Sequence, residues 1–79
     1  MYVFRVTVRR AQYRAGKTAK LRVEEFYARA HTWFLLREAV RARFGAAAAV
    51  EYALVQESDI ADEVLVVVDD KGQANWVRA

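Results

Sequence analysis

The stretch from Ala11 to Thr18 comes closest to a known catalytic motif. It reads A-x-x-x-x-G-K-T, the pattern of a phosphate-binding P-loop with Ala in place of the first Gly. A P-loop needs a parallel sheet with crossover helices, and each βαβ unit takes about 30 residues. A chain of 79 residues has no length for several such units. We therefore interpret the match as accidental and predict that the protein uses no cofactor.

Carboxylates are concentrated in the second half of the chain, and carboxylate oxygens are ligands that Mg²⁺ prefers. Val64 to Asp70 also looks like the hydrophobic strand and acid that assist magnesium in P-loop enzymes. Acids at turns and strand ends are ordinary, however, so we predict no metal site. The candidate ligands are Asp59, Asp62, Glu63, Asp69 and Asp70.

Other catalytic groups are isolated in the sequence. His31 is the only histidine and there is no cysteine, so zinc would lack a second imidazole or a thiolate. We interpret His31 as a helix-entry residue. Ser58 has no base nearby in the sequence that would activate it. The sequence therefore predicts a binding protein rather than an enzyme.

Charge is strongly segregated along the chain. Residues 1–22 contain seven bases and no acid, whereas residues 51–70 contain seven acids and no base. The protein is a strong dipole if these two segments lie apart in space. The bases of the first segment are Arg5, Arg9, Arg10, Arg14, Lys17, Lys20 and Arg22.

Three interpretations of this segregation remain open. Opposite charges can pair across neighbouring strands. A basic hairpin can bind the phosphates of a nucleic acid. A charged surface can also recognise a protein partner, which ten arginines among thirteen bases would suit. For that partner the sequence adds a helical stripe of Phe34, Arg37 and Arg41 with an exposed ring, unless the Phe34 ring lies against a strand.

The first third of the chain predicts a β-hairpin. Apolar residues occupy every second position from Tyr2 to Val8, and the alternation returns from Ala19 to Ala30. The polar residues Ala11–Thr18 connect the two strands. The apolar phase changes after Glu24–Glu25, which predicts a β-bulge there. A single helix from Thr18 to Phe44 is the alternative.

A helix is predicted from Trp33 to Phe44. Thr32 is suited to the N-cap and Gly45 to the stop after the last turn. At 100° per residue one side of this helix is apolar, and we expect that side to be buried against a sheet. Its residues are Trp33, Leu36, Val40 and Phe44.

The remaining residues predict further strands. Val50–Glu57 alternates as a strand does, although the alanines before it favour helix, so residues 46–57 are open between the two. Ser58–Glu63 is predicted as a loop, Val64–Asp69 as a strand, Asp69–Gly72 as a type I turn and Gln73–Arg78 as the last strand. The fold class is α+β, an antiparallel sheet of four or five strands in the order β-β-α-β-β(-β), with one helix on one face. The other face is then available for a partner.

Size and hydropathy limit the remaining possibilities. A 79-residue chain that is 56% hydrophobic supports one domain with one core, and a homodimer interface would supplement that core. The longest aliphatic run, Val64–Val68, is too short to cross a bilayer. Arg5, Arg9 and Arg10 interrupt any signal-peptide pattern. We expect a soluble, cytoplasmic protein with no membrane partner.

Two family resemblances bear on function. The opening Met1-Tyr2-Val3-Phe4 resembles the first strand of the small CRISPR adaptation nuclease, but Arg9 and Arg10 stand where that family needs an acid. The layout of hairpin Tyr2–Ala30, helix Trp33–Phe44 and hairpin Val64–Arg78 is similar to small phage-encoded anti-CRISPR proteins of type I systems. That resemblance implies a non-enzymatic inhibitor in the host-cell cytoplasm, which binds a surveillance complex and blocks its target DNA. It shares no motif through which site residues transfer.

Our leading hypothesis is therefore an interaction protein that occupies a functional surface of a larger protein or nucleoprotein complex. The alternative is a nucleic-acid-binding domain that uses the basic N-terminal hairpin.

Overall fold

Five strands and one helix make up the computed structural model, which describes residues 1–12, 16, 20–60 and 63–77. The predicted α+β class is confirmed, with one helix packed on one face of the sheet. A short 3₁₀ turn at Glu57–Asp59 follows the third strand. The elements are β1 (Tyr2–Gln12), β2 (Lys20–Ala30), α1 (Trp33–Phe44), β3 (Ala49–Val55), β4 (Val64–Val68) and β5 (Ala74–Trp76).

The strands form one sheet in the order β3-β1-β2-β4-β5. The pairs β1–β2, β1–β3 and β4–β5 are antiparallel, as predicted, whereas β2–β4 is parallel. A parallel pair needs a long crossover connection, and here α1 and β3 both lie between β2 and β4 in the chain. The sheet is therefore mixed.

The bulge predicted at Glu24–Glu25 is wrong. The β1–β2 register runs without a break from Tyr2↔Ala30 to Gln12↔Lys20. The apolar phase changes because β2 continues beyond the core, with Leu21 and Val23 on the sheet face away from the helix. The register shift in this sheet lies between β2 and β4, at Tyr27/Ala28. The alternative of one helix over Thr18–Phe44 is also wrong, because residues 20–30 form a strand.

The helix begins and ends where predicted. The Thr32 hydroxyl oxygen accepts a hydrogen bond from the Leu35 N–H at 3.2 Å, which satisfies a free donor of the first turn. Gly45 ends the helix with φ of 90°, a conformation that favours glycine, and its N–H donates to the Arg41 carbonyl at 2.9 Å.

The helix packs on the sheet through a narrower face than predicted. Leu36 and Val40 are fully buried and Phe44 is partly buried, as expected. The prediction that Trp33 is buried is wrong, because this side chain is 48% exposed at the edge of the sheet, with its ring against Tyr52 of β3. The core beneath the helix consists of Phe4, Val6, Val8, Phe26, Ala28, Ala30, Leu36, Ala39, Val40, Val66 and Val68.

The second half of the chain follows the predicted layout with shorter strands. Residues 46–48 form a turn, and the strand predicted after them is confirmed as β3, from Ala49 to Val55, rather than a helix. The turn after β4 is confirmed, because the Gly72 N–H donates to the Asp69 carbonyl at 3.1 Å. The Asp69 carboxylate also accepts from the N–H groups of Lys71 and Gln73.

One end of the sheet face opposite the helix is covered. Glu57, just after β3, forms an ion pair with Arg29 of β2. Val3 lies opposite Arg29 in the β1–β2 register and is only 5% exposed, although its side chain points away from the helix. The face that we predicted to be open is therefore closed at this end.

Candidate binding surfaces

The outer part of the β1–β2 hairpin extends past the rest of the sheet. The β1–β3 pairing stops at Arg9↔Ala49, and the β2–β4 pairing begins only at Tyr27. We call residues 10–12 and 20–23 the arm. At about 3.4 Å per residue, its three pairs beyond Arg9 project about 10 Å. Its backbone edges have no strand partner among the described residues, and unpaired edges are templates for another chain.

The two sides of the arm differ in chemistry. The register places Arg10 opposite Arg22 on the side of the sheet that carries the helix, and Lys20 lies two residues along β2 on the same side. Ala11 lies opposite Leu21 on the other side, and Val23 is next to them. The arm therefore has a basic side and an apolar side.

One acid holds the basic side together. A Glu24 carboxylate oxygen lies 2.9 Å from Arg10 Nη2 and 3.2 Å from Arg22 Nε. Two cations share one anion, and Lys20 adds a third cation, so this side keeps a positive charge. The three side chains of the cluster are 30–57% exposed, and pairs of this kind contribute about 0–1 kcal/mol each.

Aromatic rings support the base of the arm. The Arg10 guanidinium lies 5.2 Å from the centroid of the Phe44 ring, and Phe44 contacts both Phe26 and Trp76. Arg43 also lies over the Trp76 ring, at 4.4 Å. Such cation–π contacts are strongest when the ring is partly shielded from water, as these rings are. Sequence reasoning did not connect Trp76 with the hairpin, because 66 residues separate it from Arg10.

The apolar side of the arm was not predicted as a site. Leu21 is 63% exposed and Val23 is 52% exposed. Their alternation with Lys20 and Arg22 is visible in the sequence, but it predicts only a strand and not which of its faces is buried. Exposed aliphatic side chains on a strand with a free edge are available for contact with another chain.

Ion pairs reduce the charge segregation. Arg9 pairs with Glu51 at 3.0 Å, because β3 lies beside β1, and Arg29 pairs with Glu57. Pairing across neighbouring strands is thus confirmed for Glu51, whereas Glu57 pairs with a base outside residues 1–22. Among the remaining predicted bases, Arg5 is exposed on the face away from the helix. Arg14 and Lys17 lie outside the described residues.

A second candidate surface lies between α1 and β3. Arg37 and Arg41 line a cleft of about 250 Å³ there, with Tyr52 and small apolar residues as its other walls. The Arg37 guanidinium lies 5.8 Å from the Trp33 ring centroid. Phe34, the third residue of the predicted stripe, is 57% exposed, so its ring is not buried against a strand. The apolar walls of the cleft are Ala46, Ala48 and Val50.

The Tyr52 hydroxyl is an unusual feature of this cleft. Its oxygen is buried and forms no hydrogen bond within the described part of the chain. Burial raises the pKa of the Tyr52 hydroxyl above its ordinary value, against the opposing effect of the positive charges of Arg37 and Arg41; Glu38 adds to the increase. Sequence reasoning missed Tyr52, because its alternation fits an ordinary strand residue.

The groups considered for catalysis are not brought together in the part of the chain that the structure describes. His31 is exposed at the start of the helix, and its backbone N–H donates to the Val68 carbonyl. No group of three metal-ligating side chains occurs within residues 1–12, 20–60 and 63–77. Asp62 lies outside the described residues. Most of the P-loop-like stretch does too, but the element that follows it is β2, a strand antiparallel to β1, rather than a helix.

Comparison of the chain with protein-family models, curated proteins and solved structures finds no match. In the part of the chain that the structure describes, no helix is long and apolar enough to cross a membrane.

Proposed function

We propose that the chain is a non-enzymatic binding protein, which docks on a protein of a larger complex through the apolar side of the arm. The observation that supports this most directly is the exposure of Leu21 and Val23, at 63% and 52%, on a strand with a free edge. Full burial of an aliphatic side chain contributes about 1.5–3 kcal/mol. A partner strand along the same edge adds main-chain hydrogen bonds.

The basic side of the arm gives this docking its direction. Arg10 and Arg22 share the carboxylate of Glu24, and Lys20 lies two residues from Arg22 on the same side of β2. A positive patch beside an apolar contact steers a partner that is acidic there and raises the association rate at low salt. An inhibitor of a type I CRISPR surveillance complex is the concrete form of this proposal, supported by the resemblance in size and element order.

Photo-crosslinking tests the docking surface. A benzophenone amino acid at position 23 should form a covalent adduct with one defined protein in cells of the source. The same probe at Ala47, an exposed position in the turn after α1, is the matched control and should not form that adduct. Adducts with nucleic acid alone, or the same adducts from both positions, would contradict the proposal. Adducts with a second copy of the chain would identify a homodimer interface instead.

A purified surveillance complex tests the specific form. The chain should reduce binding of labelled target DNA by the complex, and Leu21→Ser/Val23→Ser should remove the inhibition. Unchanged DNA binding at saturating concentrations of the protein would rule out inhibition of that complex. The crosslinking experiment would still decide whether the arm is a docking surface.

Nucleic-acid binding is the second candidate, favoured by the three bases on one side of the arm. Its test is affinity for labelled duplex across a salt series, because each neutralised phosphate steepens the salt dependence. Salt-sensitive binding that is lost in Arg10→Gln/Arg22→Gln would establish this candidate. Binding that is absent at low salt would exclude it.

A further inference from the structure

The cleft between α1 and β3 has the chemistry of an anion site that is separate from the arm. Arg37 and Arg41 are one helical turn apart, so their side chains lie on the same side of α1. Tyr52 comes from β3 on the opposite wall. We propose that this cleft binds a phosphate group, held by the two guanidinium groups and the Tyr52 hydroxyl.

The hydrogen-bonding capacity of the cleft indicates an acceptor-rich ligand. Arg37 and Arg41 only donate, and a tyrosine hydroxyl donates its own proton. The hydroxyl is buried without a partner within the described residues, although buried polar groups are nearly always hydrogen-bonded. Among the described residues, the side chains of the cleft thus carry more donors than acceptors, and the oxygens of a bound phosphate would supply the missing acceptors.

The charge of the cleft favours phosphate over a carboxylate. No carboxylate within residues 1–12, 20–60 and 63–77 forms an ion pair with Arg37 or Arg41. Glu38 is near enough to influence Tyr52, but it does not line this cleft. Two guanidinium groups complement the double negative charge of a phosphate, and arginine matches phosphate oxygens in geometry.

The size and walls of the cleft fit a small group. A volume of about 250 Å³ is below the range of about 300–1,000 Å³ that holds drug-sized ligands. Small apolar side chains on the β3 side reduce competition from water, which strengthens charge interactions. Arg41 is an exposed, long side chain that lines the cleft. The Tyr52 oxygen is buried, so its contact with a bound phosphate requires a neighbouring side chain of the cleft to move.

Titration with inorganic phosphate tests the site. In ¹⁵N-labelled protein at constant ionic strength, the amides of Arg37, Arg41 and Tyr52 should shift with one saturable curve. Acetate at the same ionic strength should bind at least about tenfold more weakly, because it carries one negative charge. Shifts without saturation, or equal affinity for acetate, would overturn the assignment to phosphate.

Matched variants locate the site. Tyr52→Phe and Arg41→Gln should each weaken phosphate binding about tenfold or more, since each removes a hydrogen bond to a charged group. Arg43→Gln is the control, because it removes the same charge from the same helix, but Arg43 lines a different cleft. The affinity of this variant for phosphate should be unchanged. Equal loss in Arg43→Gln, or no loss in Tyr52→Phe, would contradict the proposal. Melting curves of the variants show that each remains folded.

Discussion

Arg10 and Arg22 lie directly opposite each other on the β1–β2 hairpin, and both contact the same carboxylate oxygen of Glu24, at 2.9 and 3.2 Å. Like charges placed directly across a strand pair destabilise it unless something intervenes. Here Glu24 offsets the repulsion by pairing with both arginines. It reaches them because β2 continues past the core with its register unbroken. The basic side of the arm therefore depends on one acid.

Glu24→Gln should lower the free energy of unfolding by about 1 kcal/mol, because Arg10 and Arg22 then repel each other. The loss should shrink as salt screens the repulsion. Denaturant unfolding at low and high salt measures both effects. Glu25→Gln is the matched control, since this exposed neighbour lies on the opposite side of β2. A loss of equal size in both variants would show that the shared carboxylate has no special role.

Phe44→Ala should destabilise the protein by about 3 kcal/mol, because the ring packs against both Phe26 and Trp76 at the end of the helix. Phe34→Ala removes the same ring from the same helix, where it is 57% exposed, and should cost less than about 1 kcal/mol. Thermal and denaturant unfolding of the two variants compare them. Equal losses would mean that the helix packs on the sheet through a different face.

The fold was predictable wherever a local pattern determines it. Thr32 and Gly45 bound the helix because capping chemistry is local. The alternation in Tyr2–Val8 and the turn at Asp69 are local in the same way. The parallel β2–β4 pairing was not predictable from local patterns. It depends on where the chain has been carried by α1 and β3 before β4 begins.

The candidate sites depend more on long-range pairing than the fold elements do. The apolar side of the arm was not predictable as a contact surface, because the exposed residues Leu21 and Val23 alternate just as buried residues would. Arg37 was a predicted contact residue, but its cleft partner Tyr52 lies on a strand 15 positions later, and only tertiary packing brings the two together. The sequence alone predicted the basic residues of these surfaces, but not the residues that the fold places beside them.

Tyr52→Phe should raise the free energy of unfolding by about 1 kcal/mol at neutral pH in phosphate-free buffer. The variant keeps the ring contact with Trp33 and removes a buried hydroxyl that lacks a partner. Denaturant unfolding measures the change. A loss of stability of similar size would show that the hydroxyl makes a hydrogen bond in solution.

The Tyr52 hydroxyl should also make the free energy of unfolding depend on pH in the alkaline range. Burial raises the pKa of the Tyr52 hydroxyl in the folded protein, so the folded state holds its proton more tightly than the unfolded chain does. The stability that comes from this tighter proton binding is fully present below the unfolded pKa of about 10, and it is lost as pH rises through the pKa of the folded state. Unfolding free energies should therefore fall less steeply above pH 10 in Tyr52→Phe than in the wild type. Identical slopes would contradict this account of Tyr52.

The affinity of the crosslinked partner for Leu21→Ser/Val23→Ser tests the central claim most directly. Both side chains are exposed in the free protein, so the double variant should melt within a few degrees of the wild type. Loss of two aliphatic contacts should weaken binding of the purified partner at least about tenfold, mainly through faster dissociation. Calorimetry or surface-based kinetics measures this with the folded variant. Unchanged affinity would show that the apolar side of the arm is not the docking surface.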